Sequence, residues 1–200
     1  MTEKRRVAIT GVGVVSPVGI GTEAYWQGLL APQPTEERGV HDFDPKDYYD
    51  DPKALRRADR FEQFAVAASL QAVAQAGELT ADPERIGVLV GTGIGGVITH
   101  EAQTIVLESK GARRVSPFTV PMMMANAGAA AVSMRHGFQG PCETISTACA
   151  TGTHAIGTAA RWIQWGLCDA VIAGGSEAGM SGIALAGFGN MKAMSPAGVS

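Results

Sequence analysis

Cysteine, surplus positive charge and long apolar runs are all scarce in this sequence. Only three cysteines, Cys142, Cys149 and Cys168, stand among 200 residues. An odd, sparse set is a poor disulfide framework, and no pair has the spacing of a zinc site. Lysine and arginine number 16 against 19 aspartates and glutamates, for a net charge of −3. That argues against a general nucleic-acid binder, which needs a basic surface against phosphates, while leaving room for a local basic patch. No uninterrupted apolar run is long enough to cross a bilayer. The charged opening is followed by Gly11, Gly13 and Pro17 rather than by the compact apolar block of a signal peptide. The expectation is a cytoplasmic chain with no membrane and no nucleic-acid partner, in which a free thiol is available for chemistry.

What is present supports a folded domain. Hydrophobic residues make up 46% and charged residues 18%, and 26 glycines imply tight turns and close backbone approaches. Residues 7–15 read as a strand leading into the Ser16-Pro17 turn, and 22–30 as a short helix capped by Thr22. Residues 31–53 show no period and read as a surface excursion. The clearest helix covers 59–76, opened by a capping box of Asp59 and Glu62 and stopped by Gly77. Phe61, Phe64, Ala65 and Ala68 form its expected buried face. Strands are expected over 85–90, 143–148 and 170–174, and helices over 97–109, 121–135 and 150–165. This alternation implies an α/β fold with a largely buried sheet. The last residues, 194–200, have loop composition.

The chemistry-bearing segment is Ser146-Thr147-Ala148-Cys149-Ala150-Thr151-Gly152-Thr153-His154. A strand runs into a sharp turn, and a helix begins just past Cys149. Small neighbours let the backbone turn tightly and leave room for a substrate. Unpaired N–H groups and the positive end of the helix dipole then surround the sulfur, a setting that favours a nucleophilic thiolate and can hold a developing oxyanion. Cys142 and Cys168 lack that context and read as structural.

At this point the sequence resembles a known family. The run TISTACATGTHAIGTAARWIQWGLCDAVIAG, from Thr144 to Gly174, is similar to the nucleophile region of type II ketoacyl-acyl-carrier-protein synthases. RRVAITGVGVVSPVG, ADRFEQFAVAA, GTGIGG, VSPFTVP and AGFGNMKAMS fit the same family in order, so the resemblance covers nearly the whole chain. Its most divergent stretch is 32–51. The resemblance implies a thiolase-like fold, layered α/β/α/β/α when complete, with residues 1–200 as its N-terminal domain and a second half absent from this sequence. It implies a homodimer, and Cys149 as the acyl-accepting nucleophile of a decarboxylative condensation in fatty-acid elongation. It implies no resident cofactor, since the phosphopantetheine is carried by the partner, acyl carrier protein.

Further site residues follow from the same resemblance. Ile94 becomes a wall of the acyl pocket and Phe188, in GFGN, a second lining residue. The carrier protein is acidic, so Lys53, Arg56 and Arg57, just before the 59–76 helix, are candidates to bind it, with Arg113, Arg114 and Lys192 as further ones. The helix over 121–135 is expected near the dimer interface. Condensation also uses two histidines in this family, and none of His41, His100, His136 and His154 matches them. His154 lies five helical steps past Cys149, away from its face, and reads as packing or hydrogen-bonding; His136 ends a helix, where a cation suits the dipole. The sequence taken alone is therefore expected not to catalyse condensation.

Competing readings are weaker. Gly91, Gly93 and Gly96 match a dinucleotide-binding loop after a strand, with Glu108 near the acidic spacing, but the first strand carries no such loop. The alternatives within reach are a polyketide-type ketosynthase, which uses the same chemistry, and a non-catalytic binding or folding half.

Overall fold

A computed structural model describes residues 5–30 and 39–195. Residues 1–4, the 31–38 part of the excursion and 196–200 of the final loop lie outside the described residues. Among the described residues, no helix is long and apolar enough to cross a membrane.

The centre is β3 (Ile86–Gly91), flanked in parallel by β4 (Cys142–Glu143) and β5 (Ala170–Gly175). Every residue of β3 is buried, as its apolar run demands of a strand covered on both faces. Its side chains divide by parity. Val88 and Val90 pack with Ala65 and Val66 of α3 (Arg60–Ala76) and with Ala129 and Val132 of α6 (Ala127–His136). Leu89 faces the other way, onto Ala155, Ala159 and Trp162 of α7 (Thr151–Gln164) and onto Cys168. The sheet thus separates two helical layers.

The helix α3 has the expected caps. Glu62 Oε1 accepts from the Asp59 N–H at 2.8 Å, and Asp59 Oδ1 accepts from the Phe61 N–H at 3.2 Å. Gly77 closes the helix at φ 79°, a conformation that glycine alone adopts without strain. The second Asp59 oxygen accepts from both the backbone N–H and the hydroxyl of Thr99, tying α3 to the start of α4 (Val97–Lys110). Phe61 and Ala65 are buried on α3, while Phe64 and Ala68 are half-buried. At the far side of the molecule Asp169 is clasped by Arg85 and Arg5, and the bond from Arg85 chiefly holds its carboxyl down at about 2.

Several expected elements differ. The strand over 7–15 is reduced to β1 (Val15–Ser16), paired antiparallel with β2 (Gly19–Ile20) ahead of α1 (Thr22–Leu30). Both sides of β3 are taken by β4 and β5, and the preceding residues lie along α3 instead. Val12 and Val14 donate to the side-chain oxygens of Gln75 and Gln71, at 2.6 and 2.9 Å. The strand over 143–148 shrinks to β4, because side chains replace the ladder: the Thr144 hydroxyl donates to Val90 O and the Ser146 hydroxyl to Gly93 O. The helix over 121–135 is two, α5 (Thr119–Met123) and α6, broken where Met124 turns extended. The excursion contains two capped turns, a 3-10 turn at Pro45–Tyr48 and α2 (Pro52–Leu55), each opened by an aspartate followed by proline. The apolar stripe of α7 runs through Ala155, Ala159 and Trp162, and Ile156 is 49% exposed.

Candidate active site

Cys149 sits in a single 3-10 turn, Ala148–Ala150, directly before α7, and it is exposed. Ala148 has φ 52°, the left-handed region that a residue with a Cβ enters only at a cost. Thr151 holds the turn in that shape. Its hydroxyl donates to Ala148 O at 2.7 Å and accepts from the Thr147 N–H at 2.9 Å, while the Ala150 N–H donates to Thr147 O at 3.1 Å. The thiol is thereby placed at the N-terminal, positive end of a 14-residue helix, in reach of a substrate. Cys168 is fully buried against β3 and α7, and burial pushes its thiol up, consistent with the packing role expected of it. Cys142, expected to be structural, stands exposed on β4.

The glycine loop after β3 lies against this turn. A Cβ on Gly93 would come within 3.7 Å of Ala148 Cα. The loop's own amides are already satisfied: Gly93 and Ile94 N–H donate to Glu177 Oε2 at 2.6 and 3.2 Å, and the Thr92 hydroxyl donates to Glu177 Oε1 at 3.1 Å. The cradle that a dinucleotide phosphate would need is thus filled by a carboxylate of the same chain. Ile94, at the crest of this loop, is 51% exposed. Phe188 lies not in a loop but on α8 (Gly182–Asn190), and is also partly exposed. The start of α8 is capped by Glu101, whose carboxylate accepts from the Gly182 and Ile183 N–H groups, and by the Ser181 hydroxyl oxygen.

Lys53, Arg56 and Arg57 come together with Phe118 around a surface groove of about 350 Å³, and the Arg57 guanidinium stands 4.3 Å over the Phe118 ring. Phe118 was not expected there; nothing in the sequence links it to residues some sixty positions earlier. Arg113 and Arg114 lie exposed in the turn Ala112–Arg114, and Lys192 in the turn that closes α8; none of the three lines that groove.

The histidines are placed as follows. His154 is exposed and lines a second groove, of about 400 Å³, with Thr147, Ala150, Thr153, Gly157 and Arg161. His136 is not a free helix-end cation. It shares a 2.9 Å hydrogen bond with the Ser69 hydroxyl and stacks on Phe138, and burial, then Arg135, lowers its pKa. His100 is exposed on α4.

The described residues thus form a parallel sheet between helical layers, with a thiol presented on a strained turn at the head of a helix. Residues 32–200 match the family Beta-ketoacyl synthase, N-terminal domain, and the chain belongs to that family. It is 42% identical over 212 residues to 3-oxoacyl-[acyl-carrier-protein] synthase 2 of Synechocystis sp., covering 96% of this chain and 50% of the relative. The protein of that name from Vibrio harveyi is 42% identical over 209 residues, with 96% and 50% covered. The chain spans about half the length of the curated relatives it matches. Among solved structures, a beta-ketoacyl synthase from Burkholderia phymatum superposes with a TM-score of 0.80 at 30% identity, covering 96% of this chain and 51% of that one. A type II polyketide acyl-carrier protein in complex with its ketosynthase gives 0.83 at 26%, covering 94% and 55%.

Proposed function

We propose that this chain carries the acyl-accepting site of a 3-oxoacyl-[acyl-carrier-protein] synthase of fatty-acid elongation, working in the cytoplasm as a homodimer. The observation that carries the reading is the exposed Cys149 on its Thr151-pinned turn at the head of α7. In the first step the Cys149 sulfur attacks the carbonyl carbon of an acyl thioester delivered by acyl carrier protein. Backbone N–H groups at the start of α7 are suited to the oxyanion that forms. The bond to the carrier's phosphopantetheine sulfur then breaks, and that sulfur leaves as a thiol, so the acyl group rests on Cys149. In the second step malonyl-carrier protein loses carbon dioxide, and its carbanion attacks the carbonyl carbon of the Cys149 thioester; as that carbon–carbon bond forms, the carbon–sulfur bond to Cys149 breaks and the thiol is regenerated. The product is a 3-oxoacyl chain longer by two carbons.

Lys53, Arg56 and Arg57, gathered beside Phe118, form the proposed docking site for the acidic carrier protein, with Arg113, Arg114 and Lys192 as outlying contacts. Ile94 and Phe188 are proposed to line the acyl channel. The enolate-stabilising histidines are not assigned within residues 1–200: His136 is engaged with Ser69, and His154 faces an outer groove. We place them in the part of the relatives' length that this chain does not match. A polyketide-type ketosynthase is the second reading, favoured by the likeness to the ketosynthase of the type II polyketide complex. The 41–42% identity to 3-oxoacyl-[acyl-carrier-protein] synthases supports the first.

The test is incubation with acyl-carrier protein followed by peptide mass spectrometry. A thioester at Cys149, lost in Cys149→Ala, is expected. A thioester at Cys142 or Cys168, or transfer retained in Cys149→Ala, overturns the assignment.

A further inference from the structure

We infer that Glu177 is a positioning residue for acyl-chain selection, acting as a strut that fixes the glycine loop and its Ile94 against the Cys149 turn. The inference rests on the acyl-transfer reading above and extends it to a residue outside the motif around the thiol.

The geometry has three parts. First, the base of the strut is fixed. Ser176, just past β5, donates its N–H to Gly91 O at 2.9 Å and its hydroxyl to Phe61 O at 2.6 Å, and Ala178 on the other side is buried. Second, its tip takes up the loop's donors. Glu177 Oε2 receives the Gly93 and Ile94 amides, and Oε1 receives the Thr92 hydroxyl, whose oxygen in turn accepts the Gly95 N–H at 3.1 Å. Three consecutive backbone amides therefore depend on one carboxylate, two directly and one through Thr92. Third, the loop so held touches the nucleophile's turn, through Gly93 against Ala148 and through the Ser146 hydroxyl on Gly93 O.

A glycine loop of this kind is flexible when its amides are unbound, since glycine has the widest choice of backbone conformations. Two N–H groups converging on one charged oxygen make charge-assisted bonds, which are stronger than neutral ones. Without the carboxylate, the loop would sample several positions beside Cys149. The Ile94 side chain would then present no constant boundary to an acyl group on the sulfur. Glu177 has no bond to Cys149, so its effect belongs to which chains fit and how well, rather than to thiol chemistry itself.

Three variants test this in the full chain. Glu177→Ala removes the strut. Glu177→Gln keeps a carbonyl oxygen for the two amides and an amide for Thr92. Gly93→Ala approaches from the other side: its methyl would stand 2.7 Å from Glu177 Oε2, so the flexible carboxylate tip must swing out, and no left-handed φ forbids the substitution. Amide hydrogen exchange at Gly93 and Ile94 is expected to quicken about tenfold in Glu177→Ala and Gly93→Ala and to stay near wild type in Glu177→Gln. In parallel, the ratio of the rate constants for acylation of Cys149 by short and long acyl donors is expected to fall toward one in Glu177→Ala and Gly93→Ala and to stay near wild type in Glu177→Gln. Unchanged exchange in Glu177→Ala overturns the strut. Quickened exchange with an unchanged chain-length ratio overturns its part in selection. If Glu177→Ala does not fold, Gly93→Ala carries both measurements. Failure of wild-type Cys149 to accept any acyl group would sink the acyl-transfer reading instead, and the exchange data would still decide the strut.

Discussion

Gly91 and Thr151 stand so close that a Cβ on Gly91 would lie 2.3 Å from the Thr151 methyl carbon, and equally close to Ile145 O. The last residue of the central strand and the first residue of the helix behind Cys149 thus meet with no room for a side chain. Gly91→Ala is expected to destabilise the protein by about 3 kcal/mol, because one of the two obstacles is backbone and cannot rotate away. Thermal unfolding measures this. A variant as stable as wild type would mean that the seam can open.

Cys149 and Cys168 are expected to separate by accessibility. With limiting iodoacetamide under native conditions, Cys149 should be alkylated and Cys168, fully buried, should be protected until the protein unfolds. Peptide mass spectrometry after timed quenching reads the order. Early modification of Cys168 would contradict the packing of α7 against β3.

Glu62 should give stability a negative slope with pH. Burial holds its carboxyl up at about 7, against the Asp59 N–H bond that favours ionisation and with help from the Asp59 charge. A folded value above the unfolded one means that the contribution is complete below about pH 4.5. It is lost as pH rises through about 7, to a total of up to about 3 kcal/mol. Glu62→Gln keeps an acceptor for the Asp59 N–H but cannot ionise. Urea unfolding at about pH 5 and about pH 8 should therefore show a flatter dependence in the variant; identical slopes would refute the assignment.

Reversal of the basic groove should act on docking and leave the thiol alone. Arg56→Glu with Arg57→Glu is expected to raise KM for acyl-carrier protein severalfold at low ionic strength, with the difference shrinking as salt is added. The Cys149 alkylation rate serves as the control and should not change. An unaltered KM at low salt would show these charges to be solvated surface.

Ile94→Phe adds bulk at the crest of the glycine loop. The longest accepted acyl donor is expected to shorten, while short donors keep their kcat/KM. Equal loss for short and long donors would make Ile94 a packing residue only.

The sequence showed clearly those features whose partners are near in the chain. The Asp59–Glu62 capping box, the Gly77 stop and the Cys149 turn are local, and each appears as its residue types require. The central strand was readable because a run of six buried residues has few other homes. What escaped depends on closure of the fold. Glu177 meets the Gly93 amide across 84 residues, and no spacing rule connects them. The segment before β1 has strand composition, yet its amides go to glutamines of α3. On α7, alanines at 155 and 159 let the helix approach β3, and Trp162 then fills the space over Gly87. One signal was available and missed. Asp44-Pro45 and Asp51-Pro52 each pair a capping side chain with a first-turn proline, and both open short turns inside the supposed excursion.

The tight seam around Gly91 also limits how such a protein can be altered. Gly152 and Gly175 face each other across the same joint, where a Cβ on Gly175 would lie 3.1 Å from the backbone of Gly152. Drift toward a larger residue is closed off at Gly91, where a Cβ would meet backbone, and would need the neighbouring backbone to yield at Gly175, so the spacing between the sheet and the Cys149 turn is poorly tunable from these points. On the acyl-transfer reading proposed above, room for new substrate preferences lies instead with side chains that border open space, such as Ile94 and Phe188. Directed evolution of acyl length would be wasted on the glycines of the joint and belongs on the residues that overlook it.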